Sequence, residues 1–130
     1  MKRILTGAAI VIASAASALA ADPVEGVWKT EVDDGSYALV TMAPCGDKFC
    51  GVISRTFKSE GEYKSENIGK ALVWDMVSGS DGAYTSGQIW QPSTGKIYRS
   101  KMALSGDVLK VSGCVAGGLI CKKQTWTRAE

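Results

Sequence analysis

Gly26-Val27-Trp28 opens the first apolar run of this chain, and Thr125-Trp126-Thr127-Arg128 closes the last, two residues before the end. Between them lie short alternating runs separated by turn residues. A Trp on a first strand and an Arg on a last strand can meet only if the sheet curls until its ends pair. The bracket therefore predicts closure, and a closed barrel has an interior that either packs solid or holds a ligand.

Working outward from the bracket, strand alternation recurs and helical periodicity is hard to find. The runs are 26–32, 37–43, 50–57, 71–77, 84–91, 96–104, 108–115 and 122–128, mostly joined by turn clusters such as Asp33-Asp34-Gly35-Ser36 and Pro92-Ser93-Thr94-Gly95. They predict an all-β fold, an eight-stranded up-and-down antiparallel barrel, the strand number whose interior just takes side chains or one small ligand. Charged residues go to water, so the alternation assigns faces. Trp28, Thr30 and Val32 should face inward opposite Lys29 and Glu31. Leu72, Trp74 and Met76 oppose Asp75, and Tyr98, Ser100, Met102 and Leu104 oppose Arg99 and Lys101. Leu109, Val111, Gly113 and Val115 oppose Lys110 and Ser112. The second, third and fifth runs leave both faces open, because Ile53 and Phe57 share a face with Arg55, and Trp90 shares one with Gln88. The longest connection, 58–70, reads as an irregular polar loop, either solvated or a lid over one barrel mouth.

Residues 1–20 read as a secretory signal peptide: Lys2 and Arg3, an apolar stretch over 4–13, and the small-x-small site Ala18-Leu19-Ala20. That leaves one domain over 21–130, exported to the periplasm or secreted, with no membrane span. Removing Lys2 and Arg3 brings the 15 basic residues to 13, equal to the 13 acidic ones. Such a chain has no basic field for nucleic acid or acidic membranes, and the local pair Lys122-Lys123 reads as a solvated strand edge rather than a binding patch. The sequence has no His, which removes the commonest general base and transition-metal ligand. No catalytic residue, metal site or cofactor is expected. Lone carboxylates such as Glu31 and Asp75 fall on faces assigned to solvent.

Four cysteines in a small exported domain read as two disulfides. Of the three connectivities, the spacings favour Cys45 with Cys50 and Cys114 with Cys121, each closing a turn with glycine at its centre. Each loop would contribute about 2 kcal/mol in the chain-entropy model.

Gly26-Val27-Trp28 with Arg128 resembles the lipocalin and fatty-acid-binding superfamily, in which a Gly-x-Trp tryptophan sits at the closed end and a basic side chain of the last strand packs across it. The resemblance implies that Gly26, Trp28 and Arg128 close the barrel. Nearly all of 22–130 is similar to a bacterial secreted, lipocalin-like family, domain-of-unknown-function 2147. The likeness rests on Glu25-Gly26-Val27-Trp28, Cys45-Gly46-Asp47-Lys48-Phe49-Cys50-Gly51, Gly87-Gln88-Ile89-Trp90-Gln91-Pro92 with Gly95-Lys96-Ile97-Tyr98, and Gln124-Thr125-Trp126-Thr127-Arg128. Trp90-Gln91 stands where that family carries Tyr then Asp. The resemblance implies export, a lipocalin-like barrel and small-molecule binding, and no defined activity.

The expectation is a non-enzymatic exported barrel that binds a small hydrophobic or amphipathic ligand. Trp74, Met76, Tyr98 and Met102 would line its cavity, with Ser100 as a polar contact. The alternative is an envelope protein-interaction or inhibitor module that uses the 58–70 loop, with Phe57 and Tyr63 nearby, above a filled barrel.

Overall fold

The computed structural model describes residues 21–129; the expected leader, 1–20, lies outside the described residues. The described chain forms nine antiparallel strands: β1 (Gly26–Lys29), β2 (Ser36–Cys45), β3 (Lys48–Lys58), β4 (Gly61–Tyr63), β5 (Ala71–Ser78), β6 (Ala83–Gln91), β7 (Lys96–Ser105), β8 (Val108–Val115) and β9 (Ile120–Arg128). Eight of them close a ring in the order β1-β2-β3-β5-β6-β7-β8-β9, with β9 returning to β1. This is the expected eight-stranded antiparallel barrel. β4 lies outside the ring and adds to the far half of β3, pairing Thr56 with Tyr63. Strand β4 corrects the irregular loop expected over 58–70, whose first part folds back as a hairpin.

The ends meet as the opening bracket requires, with Trp28 paired to Arg128 and Lys29 to Thr127. The Arg128 guanidinium lies over the Trp28 ring, 4.3 Å from its centroid. Its two terminal nitrogens donate to the carbonyls of Glu25 (3.0 Å) and Pro23 (2.8 Å), and its Nε donates to Asp107 (3.0 Å). The segment before β1 plugs the floor. Val24 is fully buried, its carbonyl accepts the Trp28 indole N–H at 2.9 Å, and Asp22 accepts the Val24 N–H. Gly26 stands at φ 126°, a conformation that side-chain-bearing residues rarely adopt, so the turn from plug into β1 requires glycine.

β1 is shorter than the expected 26–32. The Thr30 hydroxyl accepts the Ala38 N–H at 3.0 Å, in place of a ladder carbonyl. The chain then turns through Asp34 and Gly35, both at positive φ as a two-residue type I′ hairpin turn demands. Val32 leaves the sheet and is exposed, against the inward position that alternation predicts.

A further correction falls on β5. Val73 is fully buried and pairs with Gly51 and Ile89, while Trp74 pairs with Gln88 on the outer face and donates its indole N–H to the Gln88 side chain at 2.8 Å. Asp75 adopts φ 59°, and the β3–β5 register slips on either side of Gly51. This irregularity lets Val73 and Met76 both reach the interior and turns Trp74 out.

Both disulfides form as the spacings favour. Cys45–Cys50 closes the β2–β3 turn with Cα atoms 5.8 Å apart, and Cys114–Cys121 closes the β8–β9 turn with 4.0 Å.

Arg128→Ala should lower stability by about 2–3 kcal/mol, since it removes a cation–π contact and charge-assisted bonds to carbonyls that stay in place. The readout is the urea midpoint at unchanged slope. Arg128→Lys should recover only part of the loss, because an ammonium cannot fork to two carbonyls while covering a ring.

The floor also contains Tyr84, buried edge-on to Phe49 and donating its hydroxyl proton to Asp22. Burial first, and then the Asp22 carboxylate, push the Tyr84 hydroxyl well above its ordinary range. The folded state thus holds this proton longer than the unfolded chain does. The resulting stability is complete below the unfolded value of about 10 and is lost as pH rises through the raised folded value. Tyr84→Phe should flatten the alkaline fall of Tm above about pH 10 relative to the parent protein; an unchanged slope would contradict this.

Candidate functional site

The barrel interior divides across its length. Toward the floor it is solid: Trp28, Met42, Met76, Leu109, Val111 and Trp126 are buried in one cluster. Two inward glycines sit inside this filled half. A Cβ at Gly51 would stand 2.6 Å from the Met42 sulfur, and one at Gly87 would stand 2.5 Å from the Met76 sulfur and 2.7 Å from the Trp74 carbonyl oxygen. The missing side chains are the space the methionines occupy.

Toward the opposite end the packing opens into a cavity of about 650 Å³ that reaches the surface. Its deep wall is Ile53, Thr56, Leu72 and Ile89, all buried, with Tyr98 and Gly113 beside them. The inward column of β8 shows where the cavity begins. Leu109 and Val111 are packed, and the next inward position is Gly113, where a Cβ would meet nothing closer than 3.4 Å.

The mouth is polar and charged. Glu31, Asp33 and Asp34 stand on the β1–β2 lip, and Lys122 and Lys123 on β9. Glu31, expected on the solvent face of a longer β1, accepts the Thr125 N–H with its carboxylate. Asp33 accepts the Ser93 hydroxyl at 3.1 Å and so ties the β1–β2 and β6–β7 turns across the opening. The 58–70 segment supplies a wall through Tyr63, Ser65 and Asn67. It is held to β3 at several points. The Thr56 hydroxyl donates to the Tyr63 carbonyl at 2.6 Å and accepts from the Ser65 N–H, and the Gly69 N–H donates to the Ile53 carbonyl at 2.8 Å.

The structure brings one of the five expected lining residues, Tyr98, to this cavity. Met76 and Met102 face inward as alternation requires, but they belong to the packed half. Ser100 sits at the boundary, in register with Gly87 on one side and Gly113 on the other. Its buried hydroxyl has no hydrogen-bond partner among the described residues. Trp74 is on the outer wall. Sequence reasoning placed Leu72 inward but not at the cavity, and it missed Ile53, Thr56 and Ile89, because the bulged strands that carry them break simple alternation. The gap at Gly113 was legible, since it interrupts a column of large apolar residues. No group of three or more His, Cys, Asp or Glu among the described residues is arranged to hold a metal ion. No helix among them is long and apolar enough to cross a membrane.

Gly87→Ala should destabilise by about 1–3 kcal/mol, since the new methyl meets a backbone oxygen as well as Met76. Gly113→Ala places the same atom in ordinary van der Waals contact with Ile89 and Tyr98, so its melting temperature should equal or exceed the parent's. Equal losses at both sites would contradict the division of the interior.

Comparison with known proteins agrees with this geometry. The profile of a family described as "Uncharacterized protein conserved in bacteria (DUF2147)" matches residues 26–128. Among solved structures, the chain is similar to protein HP1028 of Helicobacter pylori, described as belonging to the lipocalin family. The two share 16% identity over 85% of each chain, with a TM-score of 0.65, a likeness of fold. No curated protein matches the sequence.

Proposed function

The chain belongs to this bacterial family, DUF2147, and from that premise we propose that its barrel binds a small hydrophobic or amphipathic ligand in the periplasm without catalysing a reaction. The observation that carries the reading is the cavity itself, about 650 Å³, with an apolar depth and a polar mouth. That size and polarity gradient are those of small-molecule pockets, where apolar walls supply affinity and a few polar groups fix orientation. Ile53, Leu72, Ile89 and Tyr98 would hold the apolar part of the ligand, and Thr56 would offer the deep polar contact. The absence of His from the sequence and the aliphatic wall favour binding over chemistry. Two disulfides suit an oxidising compartment, which supports the periplasmic setting.

Native mass spectrometry of protein purified from its own periplasm should reveal a bound small molecule of defined mass. An environment-sensitive apolar dye should bind the emptied barrel. Gly113→Leu, which fills the open half from its wall, should weaken that dye by about tenfold or more while keeping the melting temperature. A bare protein that takes up no dye, or a Gly113→Leu variant that binds it as the parent does, would overturn the reading.

A further inference from the structure

Of the three most exposed large apolar side chains of the described residues, Val32 at 65% and Ile120 at 64% line the cavity mouth, and Leu119 at 87% directly precedes Ile120. Val115, 47% exposed, stands opposite Ile120 in the β8–β9 pairing. Leu119, Ile120 and Val115 share one hairpin tip, Val115-Ala116-Gly117-Gly118-Leu119-Ile120, which contains no charged residue. The Cys114–Cys121 disulfide braces its base. Lys122 and Lys123 follow at once, both exposed, and their ammonium groups have no hydrogen-bond or ion-pair partner among the described residues.

Single exposed apolar side chains are ordinary on protein surfaces, but a braced, uncharged apolar tip followed by two unpaired ammonium groups is a specific arrangement. A standard protein interface covers about 800 Å² on each partner, far more than a six-residue hairpin tip presents. An anionic lipid surface asks for less area. A few apolar side chains enter the boundary between headgroups and acyl chains, and lysines directly behind them meet the phosphates. We propose that the β8–β9 tip docks the barrel on an anionic bilayer, with Leu119 and Ile120 entering the interface and Lys122 and Lys123 lying at the headgroups. Asp33 and Asp34 stand on the β1–β2 turn, which neighbours β9 in the ring, and are repelled by such a surface, so contact is confined to the apolar tip and the lysines directly behind it. The docking stands whether or not the cavity holds a ligand.

The test is co-sedimentation of the native protein with vesicles of phosphatidylethanolamine and phosphatidylglycerol, beside vesicles of phosphatidylethanolamine and phosphatidylcholine. The protein should pellet with the anionic vesicles and stay largely in solution with the neutral ones. Leu119→Ser combined with Ile120→Ser should weaken binding about tenfold at unchanged melting temperature. Lys122→Gln combined with Lys123→Gln should weaken it at least about tenfold and abolish its salt dependence. In Leu119→Trp, the emission should shift to the blue on adding anionic vesicles. Failure to pellet, or pelleting that both double variants leave intact, would sink the proposal. So would a dimer that Leu119→Ser dissociates in analytical ultracentrifugation, or a co-purifying protein lost in the same variant, since either would assign the tip to a protein partner.

Discussion

The fold depends on a seam two residue pairs long. Every other join in the ring runs over more of its strands, but β1 and β9 share only Trp28 with Arg128 and Lys29 with Thr127. Two pairs of backbone partners are a weak closure. Arg128 lengthens it with side-chain chemistry, gripping the plug at Pro23 and Glu25, the indole of Trp28 and the β7–β8 turn at Asp107. The backbone helps from both sides, the Arg128 N–H reaching the Asp107 carbonyl and the Ala129 N–H the Val27 carbonyl. Without these bonds β1 would be a four-residue edge strand, free to separate along its open side. The motif residues at the two ends of the chain thus form one structural unit.

With one end sealed, packing is spent from the floor upward. Three methionines, two tryptophans and several β-branched residues fill the narrow half, and the glycines at 51 and 87 are the hollows into which they fit. Above Ser100 and Gly113 no side chain takes up the same role. Glycine therefore has opposite meanings in neighbouring strands: at 87 it is space already taken, and at 113 it is space left open. Ser100 lies between them in the β6-β7-β8 ladder, so the change from solid to open occurs along one row of the wall.

The architecture was readable because its determinants are local or terminal. Turn chemistry marks the hairpins, the cysteine spacings match their turns, and Trp28 and Arg128 mark the closure. The lining was less readable, for a physical reason. Alternation assigns faces only while the pleat is regular, and β5 and β6 each contain a residue in left-handed conformation, Asp75 and Ser86. Past such a bulge the parity changes, which is why Trp74 points outward and Val73 inward. Even where parity holds, as for Met76 and Met102, it separates inside from outside and says nothing about height along the barrel axis. Height decides which inward residues pack and which line the cavity. Tyr98, nearest the open end of its column, was placed correctly for that reason.

An open half lacks the contacts that a filled core would provide, so the wall around it must be held by other means. β8 and β9 meet this need directly. Their inward column is interrupted at Gly113, and the adjacent residue, Cys114, is bonded on the outer face to Cys121, itself next to Lys122, the residue paired with Gly113. The covalent tie stands immediately beside the missing side chain. At the floor, where packing is complete, Cys45–Cys50 closes a tight turn instead. Across the mouth, the Asp33–Ser93 hydrogen bond links the β1–β2 and β6–β7 turns, and the Glu31–Thr125 bond ties the chain beyond β1 to β9. The stabilising chemistry of this barrel thus changes along its axis, from side-chain burial at the closed end to a disulfide and rim hydrogen bonds at the open one. A wall built in that way keeps its shape while leaving its interior accessible.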